Sequence, residues 1–165
     1  MKRLTITLLA VMAAAAFAAP AASAAPSKDI VQTAKAAGDF KTLVKLVKAA
    51  GLAKTLSGNT KYTVFAPTDA AFAKVPKKTL TALGKNKAAL KQVLLYHVVK
   101  GSVPAKKVVK LKSAKTVEGS KVRIKVRKGN VYLNRTTKVT AVDVRASNGI
   151  IHVINKVLIP KDLDL

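Results

Sequence analysis

The chain has 165 residues, with no cysteine, two histidines, and 31 lysines and arginines against seven acidic residues, giving a formal charge of +24. The absence of cysteine excludes disulfides, a thiol nucleophile and a thiolate metal site, so the fold must rest on its hydrophobic core and its hydrogen bonds. A field of this sign attracts acidic polysaccharides, anionic lipid surfaces and nucleic acid, and adds self-repulsion to the folded state.

Met1-Lys2-Arg3, the apolar run from Leu4 to Phe17 and the small residues Ala22-Ser23-Ala24 read as a secretory signal cleaved after Ala24. The run is too short to span a bilayer, and no transmembrane segment is expected in the mature chain. Residues 25–165 are expected to form one monomeric domain, its core at about 29–160, secreted or periplasmic and with a charge of +22 once Lys2 and Arg3 are removed.

Cap-type residues Ser27 and Asp29 ahead of Ile30, Val31 and Ala34 predict a first helix ending near Gly38. Asp39 is the expected cap of a second, whose apolar positions Phe40, Leu43, Val44 and Val47 leave Lys41, Lys45 and Lys48 on the wet side, with Gly51 just past its end. Tyr62 to Ala66 reads as a buried strand stopped by Pro67. Thr68 and Asp69 offer cap acceptors for a short helix through Phe72, and Pro76 to Leu83 can form another turn or two. Asn86 is the expected cap of a helix with Leu90, Val93, Leu94 and His97 on or near its apolar face.

After Gly101 the pattern changes to period two. Val122, Ile124 and Val126 are expected inward, with Arg123, Lys125 and Arg127 outward. Lys128-Gly129-Asn130 predicts a hairpin turn into Val131 to Asn134, Lys138 to Ala146 reads as another alternating strand, and Ser147-Asn148-Gly149 turns the chain again. Ile150 to Ile159 is nearly continuous in apolar residues and is expected near the centre of the sheet. The order is helices first and sheet last, an α+β arrangement.

No catalytic, cofactor or metal constellation stands out. A hydrolase would need His97 or His152 as base, but both lie in apolar stretches, and no serine occupies a glycine elbow. The acids Asp29, Asp39, Asp69, Glu118, Asp143, Asp162 and Asp164 are scattered rather than paired, and two histidines are a poor basis for a zinc site. The basic residues cluster as Lys106, Lys107, Lys110, Lys112 and Lys115, then Lys121, Arg123, Lys125, Arg127 and Lys128, then Arg135 and Lys138. Lys121, Arg123, Lys125, Arg127 and Lys128, around the hairpin, are the candidate polyanion-binding residues, against the alternative of solubilising charge spread over the whole surface. Three phenylalanines and three tyrosines beyond Ala24 are too few to interleave the cations as stacking platforms, so sequence-specific nucleic-acid recognition is not expected.

Three segments resemble the fasciclin domain family: Thr63-Val64-Phe65-Ala66-Pro67-Thr68-Asp69-Ala70-Ala71-Phe72, Leu94-Leu95-Tyr96-His97-Val98-Val99, and Asn148 to Pro160. Asn155 stands where members of the family often carry aspartate. The resemblance implies a fasciclin-like fold, a helical bundle packed against a wedge of strands, and a role in extracellular adhesion or protein interaction without established catalytic residues. It singles out Thr68, Asp69, Tyr96, His97, His152 and Asn155 as motif residues. In animal matrix members the Tyr-His segment has been proposed to contact integrins, whereas the apolar setting of Tyr96 and His97 here points to packing. The expected partner is an extracellular or cell-envelope protein or anionic polysaccharide. An enzyme acting on an envelope polymer would require His97 or His152 to meet Asp69 or Asp143 in an open cleft, and a structural envelope protein would need no ligand.

Overall fold

The computed structural model describes residues 26–163, and the signal-type segment with its cleavage position lies outside the described residues. The first half is helical: α1 (Ile30–Ala37), α2 (Lys41–Ala49) and α3 (Ala53–Ser57) precede β1 (Tyr62–Pro67), and α4 (Asp69–Ala73), α5 (Lys77–Lys85) and α6 (Lys87–Tyr96) follow it. The second half contains β2 (Val98–Lys100), α7 (Ala105–Val108), β3 (Ser113–Lys115), β4 (Lys121–Arg127), β5 (Asn130–Leu133), β6 (Thr137–Ala146) and β7 (Gly149–Ile154).

Local chemistry sets most of these boundaries. Asp29 caps α1 by accepting from Gln32 N at 2.7 Å while the Gln32 side chain accepts from Asp29 N, and Gly38 ends the helix at φ 82°. Asn86 caps α6 by accepting from Ala88 N and Ala89 N. The helix ends one residue before His97, which is its C-cap.

The cap of α2 differs from expectation. Its N-cap is Phe40, which has no acceptor, and Asp39 does not serve as the cap; Asp69, from the start of α4, accepts from Thr42 N at 2.8 Å and from Lys41 N at 3.3 Å. Asp69 N in turn donates to Asp39 O, which fixes the approach of the two segments. The neighbouring Thr68 caps α4 itself, accepting from Ala71 N. Two adjacent side chains therefore terminate two different helices.

The strands form one seven-stranded sheet in the order β2-β1-β7-β6-β5-β4-β3. β1 and β7 run parallel and every other neighbouring pair is antiparallel. The sheet curls until its edges approach: Val99 bridges Thr116, and Val117 N donates to Val98 O at 2.7 Å. This near-barrel has two cores. Phe65, Val122, Ile124, Leu133, Val139 and Ile154 fill the inside of the curl with Tyr96, Val108 and Leu158. Tyr62, Val64, Ala66 and Ile151 face the other way, against Ile30, Phe40, Leu43, Leu90 and Leu94 of the helical half.

Four details depart from the pattern reading. β7 stops at Ile154 rather than Ile159, because Asn155 Oδ1 accepts from Lys138 N and the chain then leaves the ladder to bury Leu158. Val126 is 42% exposed, since the end of β4 overhangs the inner core. β6 does not alternate strictly: its register shifts twice, Asp143 takes φ 56° and Val142 is 46% exposed. The short α3, α7, β2 and β3 carry too few residues to show a period.

Candidate anion-binding surface

The two histidines are interior hydrogen-bond bridges. His97 is 2% exposed, its Nε2 accepting from Leu158 N at 2.9 Å and its Nδ1 lying 2.8 Å from Val93 O. A backbone N–H can only donate, so Nε2 is bare and Nδ1 carries the proton that reaches Val93. His152 is the opposite tautomer. Its Nδ1 accepts from Asp143 N at 3.3 Å, its Nε2 donates to Val103 O at 2.8 Å, and its ring stacks on Phe65 at 5.7 Å between centroids. Burial lowers the pKa of His97 from 6.5 to about 4 despite the bond to Val93. His152 is lowered as well, burial outweighing the bond to Val103 and the charge of Asp143.

Among the described residues no open histidine–carboxylate pair results. The Asp143 carboxylate accepts from Ala105 N at 2.8 Å, at the start of α7, and only its backbone meets His152. Asp69 is held below the usual carboxylate range, chiefly by the Thr42 N–H, as a helix cap. Both nitrogens of each imidazole are engaged, so neither ring offers a site to a substrate. Among the described residues no group of three histidine or acidic side chains could hold a metal ion.

Tyr96 is also buried. Its hydroxyl accepts from Asn134 Nδ2 at 3.0 Å and makes a long contact to Lys121 O, tying the end of α6 to β4. Asn155 supplies a neutral acceptor to Lys138 N, and its carbonyl accepts from Lys74 Nζ. The backbone donor it serves needs an oxygen and does not need a charge.

The exposed chemistry lies on the outer face of the sheet. The helices cover this face over β1 and β7 and leave it bare over β3, β4 and β5. Alternation puts Lys121, Arg123, Lys125 and Arg127 there together, about 7 Å apart along the strand. The ladder adds cross-strand neighbours: Lys115 stands opposite Lys121, Ser113 opposite Arg123, and Asn130 opposite Arg127. Lys125, Tyr132 and Lys138 form one row across β4, β5 and β6. Lys128 occupies the hairpin tip at φ 48° beside Gly129 at φ 75°, a turn needing two left-handed residues.

No carboxylate stands among these paired positions. Lys115 facing Lys121 places like charges directly opposite each other, which costs stability unless an anion lies between them. Sequence reading found the β4 cations from their period. It did not place Lys115, Tyr132 and Lys138 beside them, because register is a long-range property.

A helix-covered, curled sheet with internally satisfied histidines and a bare cationic flank defines a domain of mixed helix and strand. The chain belongs to the fasciclin domain family, whose profile matches residues 38–160. It is 43% identical over 98 residues to the uncharacterized protein sll1735 of Synechocystis, covering 59% of this chain and 72% of that one. It is 33% identical over 103 residues to the transforming growth factor-beta-induced protein ig-h3 of Sus scrofa, covering 62% of this chain and only 15% of that protein. In three dimensions it is similar to a FAS1 domain pair from the insect cell adhesion molecule fasciclin I, with a TM-score of 0.69 and 22% identity over 84% of this chain and 53% of that one. The last match concerns the fold alone.

Proposed function

We propose that this chain is an exported fasciclin-type adhesion module that holds to an anionic polymer of the cell envelope or surroundings through the bare outer face of β3, β4 and β5. The observation that carries this reading is the alignment of Lys121, Arg123, Lys125 and Arg127 on one uncovered face with Lys115 and Lys138 as ladder neighbours and no carboxylate among them. Family membership supports it. The signal-type sequence before Ala25 supports a secreted or periplasmic location. Among the described residues no helix is long and apolar enough to cross a membrane.

The test separates a local face from the overall field. In one variant Arg123, Lys125 and Arg127 become glutamate. In the other Lys41, Lys45 and Lys48, exposed on α2, become glutamate, so both variants carry the same net charge. Retention on immobilised heparin is read as the NaCl concentration at elution. The first variant should elute at much lower salt than the second. Equal losses would assign the binding to total charge, and no salt-dependent retention by the unaltered protein would favour a structural role without a ligand.

A further inference from the structure

The bare face leads into a groove with a different make-up. Where β4 begins, its first residues, the β5–β6 turn and the segment after Pro160 border an open groove of about 560 Å³. Among the described residues four cations line it, Lys121, Arg123, Arg135 and Lys161, against one carboxylate, Asp162. The space is within the range of a small-molecule site and too small for a folded partner.

Its floor is built rather than incidental. Asn134 Oδ1 accepts from Arg123 N at 3.1 Å, Asn134 N donates to Arg123 O at 2.8 Å, and Asn134 Nδ2 donates to the Tyr96 hydroxyl. These bonds lock the β5–β6 turn onto β4 and place Arg135 on the rim. Asn134 at φ 48° is in a conformation asparagine tolerates; Arg135 at φ 73° is in one that arginine seldom adopts. Two lysine side chains elsewhere are tied to the protein, Lys61 to Ser147 O and Lys74 to Asn155 O. No such bond ties the four groove cations among the described residues.

We propose that this groove binds one carboxylate-bearing sugar residue of an acidic polysaccharide, with the rest of the polymer running along β4. The inference rests on the polyanion reading above and names its ligand. Four cations suit an anionic group, and arginine can grip it with two parallel bonds. The uncharged Ser113 on the rim and the acceptor Asp162 suit the hydroxyls of a sugar ring. A bare phosphate or sulfate would gain nothing from Asp162, which would repel it.

Digalacturonate is titrated into the purified protein by calorimetry, with neutral digalactose and inorganic phosphate in parallel. Digalacturonate should bind saturably with one site, and the other two should bind at least roughly tenfold more weakly. The pair Arg135→Ala and Lys161→Ala should weaken digalacturonate by about tenfold or more, and the pair Lys45→Ala and Lys48→Ala, exposed on α2, should leave it within about twofold. Circular dichroism confirms that each variant is folded. Phosphate binding as tightly as digalacturonate would reduce the groove to a simple anion site, and equal weakening by both pairs or no saturable binding would overturn the proposal. Heparin retention that survives while digalacturonate fails to bind would sink only the groove. Retention that fails in the unaltered protein would sink the broader reading as well.

Discussion

His97 ties the end of α6 to the segment after β7, with Nδ1 on Val93 O and Nε2 on Leu158 N. Folded His97 binds a proton more weakly than the unfolded chain, about 4 against 6.5. Its contribution is therefore complete above pH 6.5, declines as the pH falls, and is gone once the pH has passed through about 4, at a total of roughly 3 kcal/mol. Unfolding free energy measured by urea titration should fall across that window, and much of the fall should vanish in His97→Gln. His152, whose pKa is lowered in the same sense, accounts for part of the remaining slope. A slope unchanged in the variant would rule out His97 as its source. Asn148 carries a comparable burden. Its Oδ1 accepts from Ile30 N while its Nδ2 donates to Leu56 O and Gly58 O, so one side chain joins α1 and the end of α3 to the β6–β7 turn. Asn148→Ala should cost about 2–4 kcal/mol in the same titration, because buried partners are left without a bond. Sequence marked this residue as part of a turn, and nothing local shows that its partners lie some 90 to 118 positions away.

At the scale of the elements, the helical half is held to itself by borrowed caps. Asp69 supplies to α2 the acceptor that Phe40 lacks, and the Thr42 N–H is the main cause of its lowered pKa. Asp69→Ala should destabilise the protein by about 1 kcal/mol, and Asp39→Ala should cost less, since Asp39 takes part through its backbone carbonyl. Thermal melting of the two variants distinguishes them; equal shifts would mean that the Asp69 cap contributes nothing special. The Thr68-Asp69 pair was legible as cap chemistry, but the sequence indicated one helix where the fold uses two. Gly149 shows the same limit in the sheet. It reads as a turn residue, yet a Cβ there would run into the Tyr62 carbonyl of the parallel strand. Gly149→Ala should therefore cost more than any loss of turn preference, because β1 and β7 would have to separate.

For the molecule as a whole, 31 cations against seven acids produce a field that opposes its own compaction. Salt screens exposed charges over about 8 Å at physiological ionic strength, so raising NaCl from low to physiological levels should raise the melting temperature by a few degrees, roughly 1 kcal/mol for a protein of this size. A flat melting temperature would mean that the charges are spaced widely enough to ignore one another. Much of the overall design was readable from local chemistry. The cap-type residues ahead of α1, the Asn86 cap, the buried β1 with its terminal proline, and the alternation of Val122 and Ile124 against Arg123 and Lys125 each rest on residues within a few positions of one another. Composition set the sign of the surface, and three motif segments indicated the family that the profile match then established. Tertiary structure decided what depends on distant partners. It chose Asp69 over Asp39 as the cap of α2, ended β7 at Ile154 so that Leu158 could reach His97, and set Lys115, Tyr132 and Lys138 beside the β4 cations. It also gathered Arg135 and Lys161 with Lys121 and Arg123 around one groove. Periodicity fixes which face a residue takes, but register and chain crossing fix its neighbours, and those are set by packing across the whole sheet.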